Sequence, residues 1–163
     1  MLPLLRASRG RIVLIGSVSG RVAAPLLGAY TASKFALEGL ADTLRLELRP
    51  WGIRVALIEP GSIDTDMWRD ADRSAAEVEA NLSPEHRELY AGHLAATRKL
   101  IARIQRHTAP PERVAATVER ALTTRKPKAR YLVGNDAKAQ VALRMALPDA
   151  AFDAILGRVG GAG

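Results

Sequence analysis

The sequence of 163 residues contains no cysteine, and it has no apolar run approaching the ~20 charge-free residues that a membrane-spanning helix needs. The absence of cysteine excludes disulfides, thiolate nucleophiles and cysteine-bound zinc or iron–sulfur sites. It fits a protein of the reducing cytoplasm, and we expect that location. His86, His93 and His107 show no metal-site spacing with carboxylates, so the sequence predicts no metal site.

Aromatic residues are also scarce, at 4% of the chain, and this affects how its positive charge is interpreted. The net charge of +7 is concentrated in residues 86–130, which hold eleven Lys or Arg and three Glu. Such a segment could contact nucleic acid, an anionic membrane surface or a phosphorylated substrate. Because few aromatic residues and no nucleic-acid motif accompany the charge, the sequence favours a solvated helix face.

The apolar patterns and the positions of Gly and Pro predict strands that alternate with helices. The predicted strands are 11–17, 52–59 and 130–134, and the predicted helices are 28–49, 84–107, 108–124, one from Asn135 or Asp136 to Pro148, and a short one from Asp149. Residues 62–81 are predicted to be irregular or weakly helical, and the Gly-rich end, 160–163, to fray. This order indicates an α/β fold with parallel pairing of about three strands.

Two predicted helices have apolar residues spaced for one buried face. In the helix 28–49 these are Phe35, Ala36, Leu40, Leu44 and Leu48, and in the helix 84–107 they are Leu89, Leu94, Ile101 and Ile104.

Three predicted strands make a poor parallel sheet, because such sheets need helices on both faces and neighbours on their central strands. The strand at 11–17 is strongly apolar, unlike a protected edge strand. The chain is therefore interpreted as one incomplete domain over residues 1–163.

Ser17, Tyr30 and Lys34 form a candidate catalytic group. Tyr30 and Lys34 are four residues apart at the start of the helix 28–49, so they share one helix face. Ser17 ends the preceding strand, at the edge where ligands bind in α/β sheets. A tyrosine serves as an acid or base near neutrality when a cation favours its phenolate, and a lysine one turn away supplies that cation. A serine hydroxyl can hold the substrate oxygen, whereas a hydride must come from a cofactor.

These residues have two competing interpretations. Tyr-x-x-x-Lys alone is more often a pair of surface neighbours than a catalytic motif, so its surroundings decide. Residues 16–20 read Gly-Ser-Val-Ser-Gly, which is not a hydrolase nucleophile elbow, because that motif needs Ser at the middle position, where Val18 stands.

The surroundings resemble the short-chain dehydrogenase/reductase family. The matching stretches are GRIVLIGSVSG, GAYTASKFALEGLADTLRLEL and GIRVALIEPGSIDT, which cover Gly10 to Thr65 almost continuously. The resemblance implies a partial Rossmann-like, doubly wound parallel sheet and an NAD(P)-dependent oxidoreductase. It implies that Tyr30 is the general acid/base, that Lys34 assists it and binds the nicotinamide ribose, and that Ser17 orients the substrate oxygen.

The resemblance also assigns cofactor contacts after the second strand. Pro60 and Gly61 would form the turn beside the nicotinamide, and Ile63 and Thr65 would contact its carboxamide through backbone and hydroxyl respectively. The alternative for Thr65 is a plain helix cap, a place that Asp64 could fill equally well. Gly16 departs from the family, which often has a second Ser or Thr there.

The family's nucleotide-binding first half is not found in this sequence. No Gly-x-x-x-Gly-x-Gly turn, which lets pyrophosphate approach a helix N-terminus, precedes a helix in these 163 residues. Residues 2–8 resemble the last turns of the helix that precedes the strand at 11. We therefore divide the chain into a catalytic segment (10–65), a variable substrate-lid segment (66–107) and a last strand with C-terminal helices (108–158). The chain alone, truncated in this sense, is expected to bind NAD or NADP weakly or not at all.

The lid segment and the long helix suggest partners. Met67, Trp68, Leu82 and the apolar residues of the helix 84–107 indicate a hydrophobic alcohol or ketone as substrate, unless they simply pack on the sheet. The family commonly pairs subunits through the helix that carries Tyr30, so a homo-oligomer through the helix 28–49 is possible, with candidate contacts at Leu37, Ala41, Leu44 and Leu48. The alternative functions are a non-catalytic binding or assembly subunit, and a membrane-surface or nucleic-acid binder through residues 86–130.

Overall fold

The computed structural model describes residues 1–25 and 27–160, and the predicted fraying of residues 161–163 lies outside that range. Its strands are β1 (Arg11–Ile15), β2 (Arg54–Pro60) and β3 (Arg130–Val133). They form a parallel sheet in the order β1-β2-β3, with Arg11 opposite Arg54 and Leu57 opposite Arg130. The predicted three-stranded parallel α/β fold is confirmed.

Helices connect and flank the strands. In the described ranges they are α1 (Leu2–Ser8), α2 (Gly28–Glu47), α3 (Asp66–Arg69), α4 (Ala71–Ala80), α5 (Pro84–Leu89), α6 (Ala91–Gln105), α7 (Glu112–Thr123), α8 (Asn135–Ala146) and α9 (Asp149–Gly160). Short 3-10 turns lie at Val18–Gly20 and Arg49–Trp51. No helix in the described part of the chain is long and apolar enough to cross a bilayer.

The chain divides into two compact units. The first contains Met1–Gly61 and Glu112–Ala142, and therefore the whole sheet. The second contains Ser62–Pro111 and the described residues from Leu143 onward. The interpretation of residues 1–163 as one incomplete family domain stays a prediction.

In the first unit, β2 is buried on both faces because helices cover both sides of the sheet. On one face, Ala56 and Ile58 pack with Ala121 of α7 and with Tyr131 and Val133 of β3. On the other face, Val55 packs with Ile53 and Leu48, which lies at the end of α2, and partly buried Leu5 of α1 joins them. Side chains alternate across a strand, so one apolar strand supplies both cores. This is the layered arrangement of a doubly wound sheet.

The predicted apolar face of α2 is largely wrong. Phe35 and Leu40 are each 46% exposed, and Ala36 is exposed as well. The side chains of α2 that are buried are instead the small ones of Thr31 and Ala41. Small residues allow the helix to lie close to the sheet, and their low hydrophobicity hides them from a search for large apolar side chains.

The residues predicted to pair subunits also lie differently from the prediction. Ala41 and Leu48 are 1% and 4% exposed within the chain itself, so they belong to its core. Leu37 and Leu44 are half-buried. Association through α2 stays a prediction, but Ala41 and Leu48 are not available for it.

The second unit is more helical than the sequence predicts. Residues 62–81, predicted to be irregular or weakly helical, contain α3 and α4. The predicted single helix 84–107 is interrupted at Tyr90, which separates α5 from α6. Ser83 caps α5 by accepting a hydrogen bond from the backbone N–H of His86. Leu89, predicted on the buried face, is 69% exposed, whereas Ile101 is buried as predicted.

Candidate active site

The carboxyl ends of the three parallel strands form one edge of the sheet in the first unit. Backbone pairing continues past the strands: the Gly16 N–H donates to the Ile58 carbonyl at 2.8 Å, and the Gly61 N–H donates to the Val133 carbonyl at 2.9 Å. Ser17 therefore follows β1 at the edge where Pro60 ends β2. Ligands of α/β sheets bind at such an edge.

Ser17 is held by the turn that it starts. Its backbone is extended, its side chain is 8% exposed, and its Oγ accepts a hydrogen bond from the Ser19 N–H at 3.1 Å. This bond orders the start of the 3-10 turn and uses only a lone pair of the oxygen. A hydroxyl also has a proton to donate, and this bond does not commit it.

Tyr30 and Lys34 lie on one face of α2, and Lys34 links that face to the sheet. Lys34 Nζ is 5.5 Å from the centroid of the Tyr30 ring. The same Nζ donates to the Ile15 carbonyl at the end of β1, over 3.4 Å. Both side chains are partly exposed. The structure thus brings Tyr30 and Lys34 to the edge that Ser17 follows, as the sequence predicts.

Gly20 allows the turn after Ser17 to lie directly against α2. A Cβ at Gly20 would stand 2.9 Å from the Lys34 carbonyl oxygen and 3.1 Å from Glu38 Cγ. Real Cβ atoms essentially never approach backbone so closely. The absent side chain therefore sets the distance between the serine segment and the helix of Tyr30 and Lys34.

We expect Gly20→Ala to lower the free energy of unfolding by about 1–3 kcal/mol, because the new methyl group must push the α2 backbone away. Gly39→Ala is the control: Gly39 lies in α2, the helix that Gly20 contacts, with nothing within 4 Å of its Cβ position. Removing a mid-helix glycine there should stabilise the protein by about 0.5–1 kcal/mol. Urea unfolding monitored by circular dichroism measures both. Equal effects of the two substitutions would contradict the close contact at Gly20.

The Pro60–Gly61 turn is backed by α8. A Cβ at Gly61 would overlap the carboxylate of Asp136, so that carboxylate lies directly against the Gly61 backbone. Gly134, between β3 and α8, has a φ of 107° that favours glycine. The sequence suggests Asp136 only as one of two possible helix caps, and its contact with the turn was not predicted.

Ile63 and Thr65 belong to the second unit. Ile63 is 7% exposed and forms a parallel bridge with Ala109. Thr65 occupies the N-cap position of α3, but its side chain makes no cap bond; its Oγ1 donates to the Ile63 carbonyl at 3.4 Å. Thr65 is therefore at the helix-cap position that the alternative interpretation predicted, but its side chain does not make the capping hydrogen bond. The carboxamide contacts of these two residues stay predictions.

A buried charged cluster in the first unit was missed by the sequence analysis. Glu59, the residue before Pro60, is 0% exposed. Arg130 on β3 bonds two acidic side chains of α2, Glu38 through Nε at 2.8 Å and Asp42 through its terminal nitrogen at 2.7 Å. The available signal was a single acid within the apolar run VALIEP of a central strand.

The geometry defines a class of protein: a doubly wound α/β fold whose ligand edge carries a serine, a tyrosine and a lysine. A family model described as short chain dehydrogenase matches residues 1–76. Human retinol dehydrogenase 5 is 37% identical over 161 residues, which are 96% of this chain and 50% of that protein. The NADPH-dependent 3-dehydrocapnine reductase of Ornithobacterium rhinotracheale is 34% identical over 160 residues, 95% of this chain and 54% of that protein.

A solved structure gives the same result. A short-chain dehydrogenase from Streptomyces avermitilis aligns with a TM-score of 0.68 at 28% identity, over 90% of this chain and 50% of that one. The chain is therefore similar to proteins of the short-chain dehydrogenase/reductase family along nearly its whole length. It spans about half the length of the curated relatives that it matches.

Proposed function

We propose that this chain carries the catalytic residues of an NAD(P)-dependent oxidoreductase that interconverts an alcohol and a carbonyl. The observation that carries the proposal is the position of Lys34 Nζ, which lies 5.5 Å from the Tyr30 ring centroid while bonded to the end of β1. The Tyr30 ring, the Lys34 ammonium group and the end of β1 therefore lie close together. The similarity to this family supports the reaction class, since the curated relatives include dehydrogenases and a reductase.

We propose one role for each of the three residues. In the oxidation direction, Tyr30 accepts the proton of the substrate hydroxyl as the carbonyl forms, and in reduction it returns that proton. The Lys34 ammonium stabilises the negative charge on the phenolic oxygen while its proton is away. The Ser17 hydroxyl, with its backbone fixed by the turn at Val18–Gly20, orients the substrate oxygen. A nicotinamide nucleotide, when bound, supplies or accepts the hydride.

The donors at the edge fit the nicotinamide end of such a nucleotide. A lysine ammonium has three N–H donors, and Lys34 directs one at Ile15, so others can bind ribose hydroxyls. Pro60 and Gly61 follow the neighbouring strand at the same edge and would flank the nicotinamide. We assign Ile63 and Thr65 to its carboxamide by family resemblance, and the choice between NAD and NADP stays open.

We further propose that the chain corresponds to the C-terminal half of the family's domain. The order strand–serine–helix–strand–Pro-Gly supports this, as does the absence of a Gly-x-x-x-Gly-x-Gly turn from these 163 residues. In the described residues β1 has one strand neighbour, β2. The truncated chain would then hold the catalytic groups apart from the main cradle of the nucleotide.

We therefore expect the 163-residue chain to bind NADPH and NADH weakly, with Kd values of roughly millimolar or above. No glycine turn presents backbone N–H groups to the pyrophosphate, and that interaction normally dominates nucleotide binding. Titration monitored by nucleotide fluorescence measures this. Lys34→Met should weaken any residual binding, whereas Lys99→Met, an exposed residue of α6, should not. Micromolar affinity would contradict the expectation.

The substrate proposed is a hydrophobic alcohol or ketone. In the second unit Met67, Leu89 and Tyr90 are 54%, 69% and 44% exposed, so they are available to contact a ligand rather than committed to packing. Ile101 is buried and serves the core instead. Retinol dehydrogenase 5, whose name indicates a hydrophobic alcohol, supports this class of substrate.

A second candidate is a non-catalytic binding or assembly subunit. Phe35, Leu40 and Leu46 of α2 are 46%, 46% and 68% exposed, which favours association through this helix. The same residues would serve a homo-oligomer of the enzyme. Turnover distinguishes the two candidates, as described in the Discussion.

A further inference from the structure

Glu59 is a buried acid that the proposed reaction does not use. It lies near the end of β2, directly before Pro60, and it is 0% exposed. Within the described residues, neither of its carboxylate oxygens has a hydrogen-bond partner, and Glu38 Oε1 is buried without one as well. Leaving several such oxygens buried and unsatisfied is costly, and therefore this arrangement calls for an explanation.

The charged groups around Glu59 come from several elements. The carboxyl group of Glu38 in α2 is its acidic neighbour, and Arg21, just after the serine turn, places its terminal nitrogen 3.8 Å from Glu59 Oε1. Arg130 of β3 is engaged by Glu38 and Asp42, and Asp42 also bonds Arg45 at 2.7 Å.

The opposite face of β2 packs against apolar side chains. There α7 presents apolar residues, Val114, Val118 and Ala121. The cluster is therefore confined to the α2 side of the sheet, where Arg21 lies beyond hydrogen-bond reach of Glu59 and Arg130 is occupied by other acids.

One proton would join two of the three unpartnered oxygens, one on each glutamate. Two adjacent carboxylates cannot donate to each other, whereas a carboxylic acid can donate a short, charge-assisted hydrogen bond to a carboxylate. Burial, and then the neighbouring Glu38 carboxyl group, raise the pKa of Glu59 to about 7, against the lowering effect of the Arg21 and Arg130 charges. The burial of these unpartnered oxygens and the electrostatics therefore both favour a proton in this cluster near neutral pH.

We propose that Glu38 and Glu59 hold a single proton between them, and that this acid–carboxylate pair fixes α2 against the end of β2. The pair joins the two segments that carry the site: Glu38 lies one helical turn after Lys34, and Glu59 precedes Pro60. Glu38 and Glu59 are in this sense positioning residues for Tyr30 and Lys34. The positioning rests on the proposed function, but the shared proton does not.

The pair makes stability depend on pH with a defined sign. The pKa of Glu59 is raised in the folded state, so the folded protein binds more protons than the unfolded chain between the ordinary glutamate pKa of 4.5 and about 7. The stabilisation that Glu59 contributes is therefore fully present below the ordinary pKa of 4.5, and it is lost as the pH rises through the folded-state pKa of about 7. The unfolding equilibrium constant should increase on the order of a hundredfold between about pH 5 and pH 8.

The experiment uses the full chain and needs neither nucleotide nor turnover. Carbon-13 NMR of labelled glutamate carboxyls follows the titration of Glu59, and the ring signals of Tyr30 report the position of α2, with Tyr90 as the reference in the second unit. Urea unfolding across the same pH range gives stability. Glu59→Gln keeps the shape of the side chain and supplies an amide donor to Glu38. The control is Glu47→Gln, at an exposed residue of α2, the helix that carries Glu38.

We expect one glutamate to titrate near pH 7, with Tyr30 ring signals that change in step with it. Glu59→Gln should remove both the titration and most of the pH dependence of unfolding, and Glu47→Gln should remove neither. A merely structural Glu59 would instead give a loss of stability that is equal at every pH. Titration of all glutamates near their ordinary pKa, or Tyr30 signals that ignore the transition, would overturn the proposal. The wild-type titration decides even if Glu59→Gln does not fold.

Discussion

Tyr30→Phe is expected to lower kcat/KM for alcohol–carbonyl turnover by about 10²–10⁴-fold, the range typical of a lost general acid/base. The change removes the phenolic oxygen that we propose takes up and returns the proton, and it keeps the ring beside Lys34. Because the 163-residue chain has no Gly-rich turn, the assay uses a chimera in which it replaces the matching part of the Ornithobacterium rhinotracheale reductase, with NADPH and a panel of hydrophobic ketones.

The matched control is Tyr131→Phe, the same substitution at a residue of β3 whose hydroxyl accepts a hydrogen bond from the Lys128 backbone N–H at 2.9 Å. It should leave turnover of the chemical step within a fewfold of the unmutated chimera. Retained turnover in Tyr30→Phe would sink the assignment of Tyr30. Absence of turnover in a folded, unmutated chimera would support the assembly subunit instead, and sedimentation of the 163-residue chain would then be informative about association through α2.

Ile58→Ala should destabilise the protein by about 2–5 kcal/mol, the range for removing buried methylenes and leaving a cavity. Ile58 is 0% exposed in the middle strand, and it packs against Ala121, Tyr131 and Val133. Domains are stable by about 5–15 kcal/mol, so this one substitution removes a large share of the total. Urea unfolding measures the change.

Ile15→Ala provides the control for Ile58→Ala. Ile15 is the partner of Ile58 in the β1–β2 register, but it is 48% exposed. The same chemical change there removes less buried surface and should cost about 1 kcal/mol or less. If the two alanine variants lost equal stability, the difference in burial across the pair would not describe the protein in solution.

The parts of the fold that could be predicted are those that have strong local signals in the sequence. The strands, the long helix and the breaks at Pro60 and Gly61 are marked by β-branched runs and by residues that cannot continue an element. The buried face of α2 could not be predicted from apolar spacing, because close packing there selects Thr31 and Ala41 rather than Phe35 and Leu40. The break at Tyr90 was missed for a related reason: an apolar pattern continues across it.

The candidate site was predicted more fully than the cluster that supports it. Ser17, Tyr30 and Lys34 form a pattern in sequence order, whereas Glu38 and Arg130 are 92 positions apart and have no local signal in common. Pairing at that distance depends on which face of β3 meets α2, and a single sequence does not reveal this. Glu59 could be recognised as unusual, but only the fold shows the carboxyl group that faces it.

The pairing of β2 with β3 has a consequence for how the protein folds and varies. Leu57 lies opposite Arg130, so the chain between them must close into a loop before the third strand can join, whereas β1, α2 and β2 form from a continuous segment. Non-local strands of this kind assemble late. Loop-closure entropy grows only with the logarithm of length, about 0.6 kcal/mol for each doubling. Insertions and deletions within residues 62–111 should therefore cost the sheet little, which lets that segment diversify while the strand edge beside Ser17 stays intact.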